Sequence, residues 1–282
     1  MMNNNFLTPA ELMDYTIETG VKKAKLQPVQ MLLLGFLAGA FIAFASEGSN
    51  MAAFNLLSRP ETYGLGKFVA GAIFPVGLIL VVTAGAELFT GNTLMTGALL
   101  DRKIKMSEML RNWVLVYIGN FIGSLLIAYL MVHSGLFDSG GHLLGAMTIK
   151  IASYKVSLSF KKAFYLGVLC NWLVCLAVWM SYGSKDLIGK MFGAYFPIWL
   201  FITSGFEHSI ANMYYIPAGI LAKTNPDWVR ASGLSSEVLA QLNWQSFFVR
   251  NLLPVTLGNL IGGAVLVAGI YFLIYKSPDN RG

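Results

Sequence analysis

An acid, an imidazole and an amide lie close together in the run Gly205–Met213, between two apolar stretches. Glu207, His208 and Asn212 are its members that ionise or form strong hydrogen bonds. An ionisable side chain at the centre of a bilayer costs at least ~2.5–3.5 kcal/mol, so such groups normally face a protein interior or a water-filled cavity. His208 is the only histidine inside a long apolar segment, and imidazole titrates near neutrality. The pattern therefore predicts a conduit with a titratable centre.

The composition of the chain indicates which class of protein contains Glu207, His208 and Asn212. Hydrophobic residues make up 56% of the chain and charged residues 12%, and the mean hydropathy is +0.62. Charged residues in soluble domains amount to about a quarter, so the sequence predicts an all-α integral membrane protein. Six long apolar stretches are candidate crossings: Val29–Ser46, Phe68–Leu100, Trp113–Val132, Ala163–Tyr182, Met191–Leu221 and Leu252–Tyr275.

The second and fifth stretches are too long for one crossing, since about 20 helical residues span the hydrocarbon core. Each contains a proline or glycine cluster, with Pro75 and Gly77 in one and Pro197 and Gly205 in the other. We therefore predict that both helices are interrupted. Unwound backbone at membrane depth is tolerated only when it is buried in protein or lines a cavity. The two breaks should accordingly meet near the midplane and frame a pore.

Short motifs recur between the two halves of the chain. The matched segments are 87–92 with 207–212, 117–123 with 256–262, and Leu34–Gly35 with Leu166–Gly167. In the first of these a glutamate precedes an asparagine by five residues in both halves. A unit of three crossings ends on the opposite side of the membrane from where it began. A second copy of the unit must therefore insert in the inverted orientation, so we predict two inverted three-helix repeats.

The amino-terminal segment predicts a domain boundary and an orientation. Thr8, Pro9 and Glu11 form a capping-box pattern before apolar residues at helical spacing, typical of an amphipathic helix along the membrane surface. Lysines follow immediately at 22, 23 and 25, which favours a cytoplasmic amino terminus. We predict a cytoplasmic helix at 1–28, a channel domain at 29–275 and a cytoplasmic tail at 276–282, in a cell membrane.

Other features of the sequence suggest no further chemistry. The formal charge of +6 comes from basic residues spread over the connections, which fits membrane anchoring better than nucleic-acid binding. Cys170 and Cys175 lie in one apolar segment and are interpreted as packing residues. We expect no metal, no cofactor and no cleavable signal peptide.

Four motifs together resemble the formate/nitrite transporter family: Ala84–Thr93, Cys170–Met180, Gly205–Met213 and Asn251–Asn259. The resemblance covers nearly the whole chain. It implies a homopentamer of aquaporin-like six-helix protomers, each with its own pore for small monovalent anions. Because all members share these residues, they do not identify the anion. Our order of expectation is formate, then nitrite, then hydrosulfide.

The resemblance also implies roles for single residues. His208 matches the family's central histidine and Thr90 its hydroxyl partner. The remaining positions are Phe74, Leu78 and Phe201 at a cytoplasmic constriction, Leu88 and Phe89 at a periplasmic one, and Lys155 and Asn171 on the periplasmic approach. Glu87, Glu207, Asn92 and Asn212 are expected to support the two helix breaks, the glutamates through freed backbone N–H groups. Without the resemblance, Lys155 could equally be a solvated loop charge.

Two other functions were weighed. A neutral-solute channel of the aquaporin type needs paired Asn-Pro-Ala motifs, and the only Asn-Pro pair here is Asn225–Pro226 in a connection. An intramembrane enzyme could use Glu207 and His208 as acid and base or as metal ligands. One histidine without a neighbouring cysteine supplies too few ligands for a metal site. An anion channel in which His208 donates a hydrogen bond or a proton remains the favoured hypothesis.

Overall fold

A computed structural model of the protein describes residues 6–276, and these residues are almost entirely helical. Six helical segments are long and apolar enough to cross a membrane: Pro28–Leu57, Pro60–Gly85, Met106–His133, Phe160–Tyr182, Leu187–Ser204 and Trp244–Lys276. They confirm the predicted all-α membrane fold with six crossings. Of the predicted termini, residues 1–5 and 277–282 lie outside the described residues.

The helices are numbered along the chain. The first half contains α1 (Pro9–Ala24), α2 (Pro28–Leu57), α3 (Tyr63–Ile73), α4 (Pro75–Leu80), α5 (Phe89–Asn92), α6 (Thr96–Leu100) and α7 (Met106–His133). The second half contains α8 (Leu143–Ser157), α9 (Phe160–Tyr182), α10 (Leu187–Ser204), α11 (Ser209–Ala222), α12 (Pro226–Ser232), α13 (Ser236–Gln241), α14 (Trp244–Ser246), α15 (Leu253–Leu260) and α16 (Ile270–Lys276).

The amino-terminal helix α1 begins at the predicted capping box. The Thr8 side chain accepts from the Glu11 amide and the Glu11 carboxylate accepts from the Thr8 amide. Its apolar face is buried against the protein itself, with Met13 next to Gly97 and Gly20 next to Ala98 of α6. The helix was expected on the lipid surface, but this face packs against α6 instead.

Close packing of α2 against α7 depends on glycine. A Cβ atom added to Gly39 would lie 2.0 Å from the Asn120 carbonyl oxygen, and one added to Gly123 would lie 2.0 Å from that of Phe36. No larger residue fits between backbones at this separation. The close approach lets the Asn120 side chain reach the backbone of α2 at Gly35.

The second and fifth crossings are both interrupted, as predicted, but not where the prolines stand. Pro75 follows an irregularity of a single residue between α3 and α4, and Pro197 lies inside α10. The chain leaves the helix at Gly85 (φ +83°) and at Gly205 (φ +80°). Positive φ is tolerated best by glycine, so glycine rather than proline determines where each helix breaks.

The last crossing is longer and less regular than predicted. It runs from Trp244 to Lys276 and includes π-helical turns at Phe247–Leu252 and Ile261–Gly269. In the connection before it, the Asn225 side chain caps α12. Hydrogen bonds from Trp228 and His142 lower the pKa of Asp138 and attach α12 to the connection after α7.

Candidate functional site

Two short extended loops, 86–88 and 206–208, follow the helix breaks. Each runs beside the first turns of another crossing. The Glu87 amide donates to the Leu34 carbonyl of α2 at 3.1 Å, and the Glu207 amide donates to the Leu166 carbonyl of α9 at 3.2 Å. The Leu-Gly pairs matched in the sequence therefore hold equivalent loops.

An asparagine clamps each loop in the same way. Asn120 Oδ1 accepts from the Phe89 amide at 3.0 Å, while its Nδ2 donates to the carbonyls of Gly35 and Glu87. Asn259 Oδ1 accepts from the Ser209 amide at 2.9 Å, while its Nδ2 donates to the carbonyls of Gly167 and Glu207. These amides satisfy backbone groups that the interrupted helices leave free.

The two glutamates bond side chains rather than the backbone N–H groups we expected. Glu87 Oε1 lies 2.6 Å from Lys23 Nζ, and its Oε2 accepts from Asn92. Glu207 Oε1 lies 2.7 Å from Lys155 Nζ, and its Oε2 accepts from Asn212. Backbone donors at the breaks are instead met by the asparagine clamps, so the carboxylates are free to hold a lysine each.

A second pair of asparagines completes both networks. Asn112 Oδ1 accepts from Asn92 and Asn112 Nδ2 donates to the Lys23 carbonyl. Asn251 makes the same two bonds with Asn212 and the Lys155 carbonyl. We missed Lys23, Asn112 and Asn251 as partners in the sequence, although it holds the signal. Lys23 and Lys155 each precede their Leu-Gly pair by the same interval, and Asn112 and Asn251 each precede their clamp asparagine by the same interval.

His208 lies where the second loop enters α11 and is 2% exposed. Its Nδ1 accepts from the Ala211 amide at 3.2 Å and caps the helix. Its Nε2 lies 2.8 Å from Thr90 Oγ1 at the first loop. Because an amide N–H only donates, Nδ1 carries no proton in this arrangement, and the neutral ring has its proton on Nε2. The ring therefore presents an N–H donor toward Thr90.

Three side chains donate hydrogen bonds to the backbone carbonyl of Thr90. Its carbonyl accepts from Thr93 Oγ1 at 2.7 Å, from Asn171 Nδ2 at 3.3 Å and from Cys175 Sγ at 3.4 Å. Asn171 is completely buried and also donates to the Asn259 carbonyl. Its amide thus joins the backbone of both halves, and its expected place on the periplasmic approach stays a prediction.

Apolar side chains flank the His208–Thr90 pair. The Phe201 ring lies 6.0 Å from the His208 ring and 5.6 Å from the Phe74 ring, in an edge-to-face contact. Leu78 and Leu88 line a cavity of about 370 Å³ together with Lys22 and Lys23 of α1. An imidazole N–H thus lies between an aromatic pair and a pair of leucines.

The expected grouping of these apolar residues needs two corrections. Leu78 lies about one turn beyond Phe74 in the same crossing and shares its cavity with Leu88, so it does not belong with Phe74 and Phe201. Phe89 is not at a constriction with Leu88. Phe89 is the first residue of α5, and its ring packs on Trp113 and Tyr117 in a separate groove that Leu88 does not line.

The expected assignment of sides is also inconsistent. Leu88 shares its cavity with α1, so both lie toward one face, which we call the amino-terminal face. Leu88 therefore cannot lie on the periplasmic side if α1 lies on the cytoplasmic side. If α1 is cytoplasmic, then Leu78 and Leu88 face the cytoplasm, and the Phe74–Phe201 pair faces the other side. Lys155 lies toward that other side, which we call the opposite face, since α9 separates it from the cavity beside α1.

Lys155 is not a solvated loop charge. It lies in the last turn of α8, its side chain is 12% exposed, and its ammonium pairs with Glu207 and lies 5.3 Å from the centre of the Tyr215 ring.

Residues 6–276 contain no group of three or more histidine, cysteine, aspartate or glutamate side chains that could hold a metal ion. What the site offers is a buried N–H donor in an apolar interior.

Fold and site together define a multi-pass membrane protein whose interrupted helices place a polar centre inside an apolar interior. Residues 10–273 match the family described as formate/nitrite transporter. The chain belongs to this family.

Individual relatives agree over nearly the whole length. The chain is 43% identical to the uncharacterized transporter YrhG of Bacillus subtilis, over 98% of this chain and 96% of that protein. It is 39% identical to the formate channel FocA of Escherichia coli strain K12, over 98% of this chain and 97% of the relative. Among solved structures, a pentameric formate channel with formate bound superposes with a TM-score of 0.78 at 38% identity, covering 88% of this chain and 97% of that one.

Proposed function

We propose that the protein conducts small monovalent anions of weak acids across the cell membrane, formate first and nitrite or hydrosulfide after it. The observation that carries this proposal is the Nε2–H of His208 held at Thr90 between Leu78–Leu88 and Phe74–Phe201. The similarity to formate channels supports the choice of formate.

An anion that enters an apolar constriction loses hydration, which is costly unless the charge is paired or neutralised. In our proposal, His208 Nε2–H donates a hydrogen bond to the anion and offsets part of that cost. Proton transfer is a further step. It would leave an imidazolate unless Nδ1 first took up a proton, and that proton would displace the Ala211 N–H from Nδ1. Hydrogen-bond donation requires only that the N–H turn from Thr90 Oγ1 to the anion, whereas carrying formate as formic acid requires the end of α11 to loosen.

The same proposal covers assembly and placement. We infer that the protein is a homopentamer with one passage in each protomer, surrounded by membrane lipid, by similarity to the pentameric formate channel. We place both termini in the cytoplasm, on the strength of Lys22, Lys23 and Lys25 near the first crossing. Glu87, Glu207, Asn92 and Asn212 then act as supports of the two loops.

The test is His208→Asn in proteoliposomes. Asparagine is a good N-cap, so it replaces Nδ1 as acceptor for the Ala211 amide but removes the imidazole N–H from the passage. We expect slower formate influx and a flatter dependence of influx on pH, with the oligomer intact by size-exclusion chromatography. Unchanged rate and unchanged pH dependence would show that His208 is not at the centre of the pathway.

A further inference from the structure

The ammonium of Lys67 on α3 has no partner among residues 6–276. It lies inside the second crossing and is partly buried. No described residue forms a hydrogen bond or an ion pair with its ammonium, whereas Lys23 and Lys155 are both paired with glutamates. A charged side chain within a crossing normally finds a partner or faces a water-filled cavity, so this ammonium needs a role.

Its position is at the break of the fifth crossing. A Cβ atom added to Gly205 would lie 3.3 Å from Lys67 Nζ, so the ammonium is against the backbone where α10 ends. Lys67, Gly71 and Phe74 follow one another on a single face of the helix, at the i, i+4 and i+7 positions. The ammonium is thus about two turns outside the Phe74–Phe201 pair, toward the opposite face.

A hydroxyl lies between the ammonium and the aromatic pair. A Cβ atom on Gly71 would lie 2.3 Å from Thr203 Oγ1, which places the hydroxyl beside the turn of α3 between Lys67 and Phe74. Thr203 Oγ1 is buried and has no hydrogen-bond partner among residues 6–276. A buried hydroxyl without a partner is unfavourable, and an anion that reaches it from the ammonium by opening the packing at Gly71 would satisfy both.

Neighbouring charges leave Lys67 available. Glu207 is within electrostatic range of Lys67, but its two oxygens already accept from Lys155, Asn212 and Asn251. Lys155 is also within electrostatic range, so two ammonium groups face one carboxylate here. The local charge therefore favours an anion. The equivalent break at Gly85 has nothing within 4 Å of its Cβ position, so no side chain takes the place of Lys67 against that glycine.

We propose that Lys67 and Thr203 form a binding site for a small monovalent carboxylate at the opposite face, just outside the Phe74–Phe201 pair. The ammonium pairs with one carboxylate oxygen and the hydroxyl donates to the other. Lys155, which pairs with Glu207, acts on the anion only through its field. This inference deepens the proposed function and rests on it for the identity of the anion.

The experiment measures binding separately from flux. Purified protein in detergent is titrated with ¹³C-formate, and line broadening of the formate signal gives the half-saturating concentration. We expect Lys67→Gln to raise that concentration about tenfold at low salt, the low end of what focused charge contributes to anion capture, and added chloride to reduce the difference. Thr203→Val should weaken binding in the same direction, and Thr203→Ser should restore it.

Two controls separate charge from folding. Lys67→Arg retains the positive charge and should bind nearly as the parent protein does. Lys162→Gln removes an exposed lysine from the same face and should change little. Equal binding by Lys67→Gln and the parent, Lys67→Arg binding no better than Lys67→Gln, or no saturable binding by the parent would each overturn the site. Binding that depends on Lys67 without formate flux in liposomes would contradict the proposed function and leave the site standing.

Discussion

At the scale of residues, the two loops differ at the position that matters most. Leu88 (φ −106°, ψ 121°) and His208 (φ −106°, ψ 119°) occupy equivalent backbone positions before α5 and α11. The scaffold around them is duplicated, down to the asparagine clamps. The loops also differ at Ala86 and Phe206, but the polar centre arises from the difference between Leu88 and His208.

Thr90 allows a sharp test at this scale. Thr90→Val keeps the shape but removes the oxygen bonded to His208 Nε2. A hydrogen bond between neutral groups contributes about 1 kcal/mol, which corresponds to about fivefold in rate. We expect formate influx into proteoliposomes to fall by about that factor, because the ring loses the partner that orients its N–H.

Thr90→Ser is the matched control for that substitution. It retains the hydroxyl and should keep most of the influx. If valine and serine variants conduct equally well, then the Thr90 hydroxyl has no part in orienting the imidazole.

At the scale of elements, the helix breaks are held by side-chain amides. Asn120 and Asn259 each satisfy one backbone N–H and two backbone carbonyls. Each carbonyl pair comes from two different elements, so one side chain fixes a loop to a crossing helix. Backbone at membrane depth can leave the helix here because its polar groups are met by protein.

Replacing a clamp by aspartate tests this role. Asn259→Asp retains the acceptor for the Ser209 amide but loses both donors to the carbonyls of Gly167 and Glu207. A buried polar group without a partner costs about 1–3 kcal/mol. We expect the heated protein to lose its oligomer on size-exclusion chromatography at a clearly lower temperature, and Asn120→Asp to behave alike.

The control for these variants is Asn55→Asp on the exposed end of α2. It makes the same chemical change where water can solvate the new charge, and the thermal loss of the oligomer should not move. Clamp variants as stable as Asn55→Asp would show that other contacts hold the loops.

At the scale of the whole molecule, the duplicated networks fix how the halves are related. Lys23, Glu87, Asn92 and Asn112 in one half correspond to Lys155, Glu207, Asn212 and Asn251 in the other. Each half also contains three of the six crossings. We infer that the halves insert in opposite directions and that α8 is the counterpart of α1, so each repeat contains one further helix besides its three crossings.

Orientation in the membrane follows from which face carries α1, and cysteine labelling can determine it. Cys170 and Cys175 are both fully buried, so background reaction with a membrane-impermeant maleimide should be low. We expect Lys162→Cys to react in intact cells and Lys105→Cys to react only after the membrane is opened, since a basic amino-terminal face is retained inside.

Both substituted positions are exposed. Lys105 lies in the connection before α7 and Lys162 in the first turn of α9, at different faces. The reverse labelling pattern would place α1 outside. In that case Leu78 and Leu88, rather than the Phe74–Phe201 pair, would meet an anion arriving from the outside.

The sequence predicted the six crossings, the interrupted second and fifth helices and the candidate residues His208 and Thr90. These depend on local composition, on apolar length and on short repeated motifs. It did not predict that Phe89 turns away from the passage, that Asn171 is buried under Thr90 or that Lys155 is held by Glu207. Each of these depends on where a side chain points once distant crossings have packed.

What the sequence by itself determined is therefore a membrane protein of six crossings with a histidine at a helix break, because burial in lipid restricts composition over every span. Only the tertiary structure decided which nitrogen of His208 bears the proton, which lysines pair with glutamates and which residues share a face. Those outcomes follow from hydrogen bonds between residues far apart in the chain, and a linear pattern contains no distances between them.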